Sequence, residues 1–166
     1  PFQRTAGAFS HLLEPAVFAG WSESYGGDVP NEDSTLVDFD NGNLLALSRF
    51  PGKDRTEDGF RAAMGLSYTL VAPGGSSFGA ALGRVFWAED PGIDADSAGL
   101  TGTASDWLVS FNYDWQDRIS LISRSLVENF GSFSRSETRL GWRSDRFSLG
   151  TVYSYAEADL ADQRPE

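Results

Sequence analysis

The residues best suited to chemistry in this chain are few, and most of them are charged. His11 is the single histidine. A hydrolytic triad would need it beside an activated Ser or Cys, but no such dyad is evident and Cys is absent. The run Asp38-Phe39-Asp40-Asn41-Gly42 has the flavour of a calcium loop, yet its Gly arrives one position early and no Glu closes it. Weaker capture of divalent ions by acidic loops is the more natural metal chemistry, because hard cations prefer carboxylates. Gly74-Gly75 sits between two strand patterns and not before a helix, so it is no phosphate cradle. Arg135, Glu137 and Arg139 recur at every second residue and form a charged row. Such a row can guide an anionic lipid, touch a plug protein, or simply neighbour other charges in an aqueous lumen. None of this assigns a catalytic, cofactor-binding or metal-ligating residue. The chain is expected to be no enzyme and to carry no cofactor.

What must position these groups is a set of strands. The clearest is Trp107–Trp115, WLVSFNYDW, where every odd residue is aromatic or β-branched and, after Leu108, every even one polar. A period of two gives one apolar and one polar face. Tryptophans at both ends with Val109 and Phe111 between them suit a strand that crosses a bilayer, the amphipathic rings lying at the two interfaces. By the same logic Trp21, Trp87, Trp107, Trp115 and Trp142 are expected to form an interfacial girdle.

Further strands are read at 9–21, 60–70, 78–87, 119–127, 134–143 and 147–155, seven in all. Pro15 lacks a ladder donor, so local irregularity is expected there. Strict alternation would put Arg84 among apolar neighbours, so a bulge at Gly83 is expected to reset the face. In strand 134–143, Arg135, Glu137, Arg139 and Arg143 share one face and Thr138, Leu140 and Trp142 the other. Residues 43–50 could form two helical turns capped by Asn43 and stopped before Pro51.

The connections alternate: long at 23–58, tight at 72–76, long at 89–105, tight at 116–118, intermediate at 129–133 and tight at 144–146. Long loops at one end and tight turns at the other are the mark of an up-and-down antiparallel transmembrane β-barrel. A sandwich or lipocalin-like binder would be the soluble alternative, and a sandwich mixes loop lengths at both ends. Bacterial single-chain barrels have even strand numbers, so seven strands with inward charge read as a segment of a larger barrel. No apolar run reaches the roughly 18 residues of a helical span. The net charge of −11 excludes nucleic acid as a partner class. The opening Pro1-Phe2-Gln3-Arg4 shows no apolar signal core, which reads as a mature product or a fragment.

Three segments resemble the LptD family of LPS-assembly proteins, also called organic solvent tolerance proteins, in its alphaproteobacterial form. They are His11-Leu12-Leu13-Glu14-Pro15, the loop from Asn31-Glu32-Asp33-Ser34 through Asn43-Leu44-Leu45 to Ser48-Arg49-Phe50-Pro51-Gly52-Lys53-Asp54-Arg55, and Gly83-Arg84-Val85-Phe86. The resemblance is specific over residues 11–87 and looser afterwards. It implies that residues 1–166 are part of the C-terminal barrel domain, without the family's periplasmic jellyroll. It also implies a role in inserting lipopolysaccharide into the outer leaflet of the cell outer membrane. The implied partners are lipopolysaccharide, the outer-membrane bilayer, an LptE-like plug lipoprotein and the periplasmic LPS-transport bridge. In the family, lipid leaves between the first and last barrel strands, so no gate residue is carried over here. The family's disulfides have no counterpart, since Cys is absent. A small outer-membrane barrel enzyme acting on lipid A or phospholipid is the competing membrane reading.

Overall fold

The computed structural model describes residues 1–23, 39–46, 57–91, 99–129 and 132–157. They form one antiparallel sheet of eight strands: β1 (Phe2–Ala6), β2 (Phe9–Ser22), β3 (Gly59–Val71), β4 (Ser77–Trp87), β5 (Trp107–Trp115), β6 (Ile119–Asn129), β7 (Ser132–Arg143) and β8 (Ser148–Ala156). Their spatial order is their sequence order. The sheet is open: β1 pairs only with β2, and β8 only with β7. The up-and-down architecture is as expected, with one strand more. The extra strand is β1, which turns into β2 through Gly7 at φ 63°, a backbone conformation glycine adopts without a steric penalty.

Alternation sets the two faces, and cross-strand pairing carries them across the sheet. Pro15, Leu66, Leu82 and Val109 are successive partners on one side. Gly20, Arg61 and Trp87 are successive partners on the other. The register runs unbroken through Pro15, contrary to expectation. Pro15 lies beyond Leu13, the last β2 residue that pairs with β1, so on that side no ladder there needs its missing donor.

The expected bulge at Gly83 is also absent; β4 keeps its register with β3 throughout. Arg84 therefore stays on the apolar face. It is tolerated because its guanidinium lies over the rings of Trp107, at 5.1 Å, and Phe86, at 5.6 Å, while Nε donates to the Ser105 carbonyl at 2.8 Å. With no reset, Trp87 points to the other face and is buried there, so it does not belong to the girdle. The irregularities lie elsewhere. Phe86 bridges Ala104, where the β4–β5 register would set it opposite Ser105. The register also shifts between β6 and β7 around Val127. There Phe133 pairs with Val127 on the apolar face, and the buried hydroxyl of Ser134 meets the Asp106 carboxylate.

Gly83 has a different purpose. A Cβ built there would collide with the Leu44 side chain, and one at Gly65 would stand 2.9 Å from Leu44 Cδ2. Gly65 and Gly83 are cross-strand partners, so together they form a socket on the inner face. Leu44 seats in it and joins a buried cluster with Phe39, Ala63, Val85, Trp87, Leu100, Leu108 and Leu126. The core of this structure is thus one face of the sheet covered by segments 39–46 and 99–106.

Gly83→Val should force Leu44 out of its socket and lower stability by about 1–3 kcal/mol, the usual cost of overpacking. The loss should shrink when Leu44→Ala is combined with it. Denaturant midpoints of the four proteins in a double-mutant cycle check this, and additive losses would show that the two residues do not interact.

Candidate functional site

The surface with a functional character is the sheet itself, read as two unlike faces. On the outer face large apolar side chains stand bare: Val17 is 82% exposed, Trp21 62% and Leu149 67%. Leu66, Leu82, Val109, Leu140, Trp115 and Trp142 are exposed on the same face. No second sheet or helical layer covers them among the described residues, so the sandwich or lipocalin-like arrangement is not what this chain builds. The outer-face hydroxyls bond one another: Ser123 with Thr138, and Ser125 with Ser136, each at 2.9 Å. Mutual pairing is what a polar group requires where water is scarce.

Aromatic residues edge this face. Trp21, Phe60, Phe86, Trp107 and Phe133 lie toward the long-loop end, and Phe9, Phe78, Trp115, Trp142 and Phe147 toward the tight-turn end. Along β5 the two tryptophans are about 27 Å apart at the usual strand rise. A strand tilted by about 40° would span about 20 Å of membrane normal, comparable with the apolar band of about 25 Å in outer-membrane barrels. No helix among the described residues is long and apolar enough to cross a membrane, which leaves strands as the only described elements able to do so.

The inner face mixes polar and apolar groups and is partly covered by the chain. Segment 39–46 lies on it in a compact turn with reciprocal capping. Asp40 Oδ1 accepts from the amides of Gly42 (2.7 Å) and Asn43 (3.2 Å), and Asn43 Oδ1 accepts from the Asp40 amide (3.0 Å). Asp40 is thus a cap, and the calcium-loop pattern at 38–42 is explained by a turn, with Asp38 outside the described residues. The helix expected at 43–50 is described only to Ala46, where it is a hydrogen-bonded turn whose Ala46 amide donates to the Asn43 carbonyl. Two polar contacts tie the turn to the wall: Asn41 Nδ2 donates to Ser110 Oγ at 2.5 Å, and Asp40 Oδ2 approaches Arg124 at 3.5 Å.

A second tie is buried. The Glu57 carboxylate accepts from Arg61 Nη1 at 2.8 Å and from Trp87 Nε1 at 3.0 Å, and all three residues are buried. Ser22 Oγ donates to the Glu57 carbonyl at 2.6 Å. This cluster fixes the return of the long connection to the mouth of β3. It escaped sequence reading because Glu57 lies in an acidic loop that reads as solvated charge, although Arg61 is only four residues on, and because Trp87 is brought to it only by the β3–β4 pairing.

The charged row is as the periodicity indicates. Arg135, Glu137 and Arg139 share the inner face, and Arg139 Nε donates to Glu137 Oε1 at 2.5 Å. Arg124 on β6 stands directly opposite Glu137. His11, by contrast, lies on the outer face with Nδ1 at 2.8 Å from the Tyr68 hydroxyl. Most of the acidic loop residues considered for divalent ions fall outside the described residues. No group of three or more His, Asp or Glu suited to a metal occurs among those described.

A two-faced antiparallel meander with an apolar aromatic exterior and a polar interior packed by its own loop is the architecture of a membrane-barrel wall. The whole chain, residues 1–166, matches the family described as LptD: LPS transport system D. It is also 27% identical over 139 residues to the LPS-assembly protein LptD of Hahella chejuensis, an alignment that covers 70% of this chain and 17% of that relative. The chain belongs to the LptD family.

Glu57→Ala should leave Arg61 as an unpaired buried charge and remove the acceptor of Trp87, costing about 3–5 kcal/mol. The loss of thermal stability should be accompanied by faster proteolysis at the β3 end of the long connection. A variant as stable as the parent would show that the cluster does not hold the loop.

Proposed function

We propose that this chain is a section of the transmembrane β-barrel of an LptD-type protein that inserts lipopolysaccharide into the outer leaflet of the outer membrane. One observation carries the placement. The rows of Trp, Phe, Leu and Val on the outer face have no protein cover among the described residues, while the opposite face, where polar groups flank Ala63, Val85, Trp87, Leu108 and Leu126, is covered by the chain itself. In water such a face would be a large apolar patch of the kind that soluble monomers avoid. Against acyl chains it is the expected surface.

The open edges fit the same reading. Every residue of β1 and β8 is exposed, and an unpaired strand edge is a template for further pairing. Further strands of the same wall would complete them, and with them the C-terminal barrel domain to which residues 1–166 are assigned. Lipopolysaccharide and the bilayer are then the partners of the whole protein, with an LptE-like plug lipoprotein and the periplasmic transport bridge as its protein partners. Its role is transport and assembly and not catalysis. Family membership and the relative's name support this direction.

Nitroxide labels on the full-length protein in bilayers test the placement. Labels at Val17, Val109 and Leu140 should collide with oxygen, and labels at Ser110 and Ser154 with a water-soluble nickel chelate. Equal access of the chelate to both sets would overturn it. Val109→Arg should cost about 2–4 kcal/mol in the bilayer if that residue lies near the midplane. For the role itself, cells depleted of the full-length protein should stop displaying newly made lipopolysaccharide at their surface. Continued display would remove the transport function and leave the placement standing.

A further inference from the structure

The outer face carries charge at two places among the described residues, and at both the charge is positive. Its strand positions hold no carboxylate, although the chain has 24 Asp and Glu against 13 Lys and Arg. The two charged residues are Arg4 on β1 and Arg84 on β4. Arg84, toward the long-loop end, is answered by the rings of Trp107 and Phe86 and by the Ser105 carbonyl. Arg4, toward the tight-turn end, is exposed, and its guanidinium has no partner among the described residues.

Arg4 stands directly opposite His11. In an antiparallel pair such residues share a face, with Cβ atoms about 5 Å apart. The pair lies between two apolar ones, Phe2–Leu13 and Ala6–Phe9. Arg4 is two positions before the end of β1 and His11 two positions after the start of β2, about 7 Å from the strand ends at the usual rise. The Tyr68 hydroxyl holds His11 Nδ1 at 2.8 Å, which fixes the imidazole and leaves Nε2 available to a ligand. When that hydroxyl donates to Nδ1, Nε2 carries the proton and is itself a donor.

A guanidinium on the lipid-facing side of a wall is costly unless it is paired. Near a strand end its stem can lie along apolar surface while its head reaches the headgroup level. The anion at that level is a lipid phosphate, and the planar fork of arginine matches phosphate oxygens. With no carboxylate beside it, the pair keeps a positive charge and favours a lipid of net negative charge. Tight turns face the periplasm in outer-membrane barrels.

We propose that Arg4 and His11 form a binding site for the phosphodiester of an anionic phospholipid in the periplasmic leaflet, with Tyr68 orienting the imidazole. The acyl chains then lie along Phe2, Leu13 and Val17. The site rests on the outer face meeting lipid.

The test uses the full-length protein in detergent, titrated with phosphatidylglycerol. Phosphatidylcholine and glycerophosphoglycerol, the deacylated headgroup, are the other probes, and the affinity for the tightest-bound lipid is read by native mass spectrometry. Phosphatidylglycerol should bind about tenfold more weakly to Arg4→Gln, the effect of one lost hydrogen bond to a charged group, and severalfold more weakly to His11→Leu. Phosphatidylcholine, whose own cation offsets its phosphate, should bind more weakly than phosphatidylglycerol and show no difference between parent and variants. Arg143→Gln removes the same charge from the inner face at the same end of the sheet and should bind phosphatidylglycerol as the parent does. Unchanged affinity in either Arg4→Gln or His11→Leu would overturn the site, as would an equal loss in Arg143→Gln. Glycerophosphoglycerol displacing the lipid at equal concentration would overturn the lipid assignment in favour of a soluble phosphate ester. Nitroxide data that place the two faces correctly, alongside unchanged lipid binding by Arg4→Gln, would remove this site alone.

Discussion

The structure depends on a register that holds through the middle of the sheet. A slip of one residue in any strand would exchange its two faces. Here that would put Arg124 or Arg61 among the bare apolar rows and Val109 or Leu82 on the opposite face. The β2–β3 and β3–β4 pairings run without interruption and the β4–β5 pairing holds from Ser77 to Gly83, while the shifted Phe86–Ala104 bridge and the β6–β7 shifts lie at the long-loop end. There the β6–β7 irregularity turns Ser134 onto Asp106 while keeping Phe133 outward.

A fixed register permits the second feature, an inner face covered by the chain's own segments. Gly65 and Gly83 can make a socket only because they are opposite each other and on the inner face. The outer face has no protein cover among the described residues, so no core forms there. Apolar burial must therefore come from loops folded onto the other side. Leu44, Phe39 and Leu100 supply it, and the buried Glu57–Arg61 pair sets where the first loop re-enters the sheet. Segments 39–46 and 99–106 are in this sense part of the core and not appendages to it.

How much of this the sequence discloses follows from the range of each interaction. Strand 107–115 and the alternation of long and tight connections are local signals, and the structure keeps both except between β6 and β7. The inner position of Arg135, Glu137 and Arg139 follows from period two alone. Arg84 and Trp87 were misplaced together by one inference. A charged residue in an apolar row looks like a bulge unless one knows that Trp107 and Phe86 lie over it, and both rings are brought there by the fold. Gly83 was misread for the same reason, since its true neighbour Leu44 is remote in sequence. β1 is short and weakly alternating, and pairing with β2 makes it a strand. The connection read as intermediate at 129–133 is shorter because β6 and β7 extend toward each other.

The distribution of charge makes the last argument. A chain with Asp and Glu at 24 and Lys and Arg at 13 could spread its few cations anywhere. Arg124, Arg135, Arg139 and Arg143 instead lie together on the inner face of β6 and β7. Glu137 answers Arg139 and Asp40 answers Arg124. Arginines gathered on the face that the chain itself covers, and answered in part by an Asp on the covering segment, help to tie that segment to the sheet.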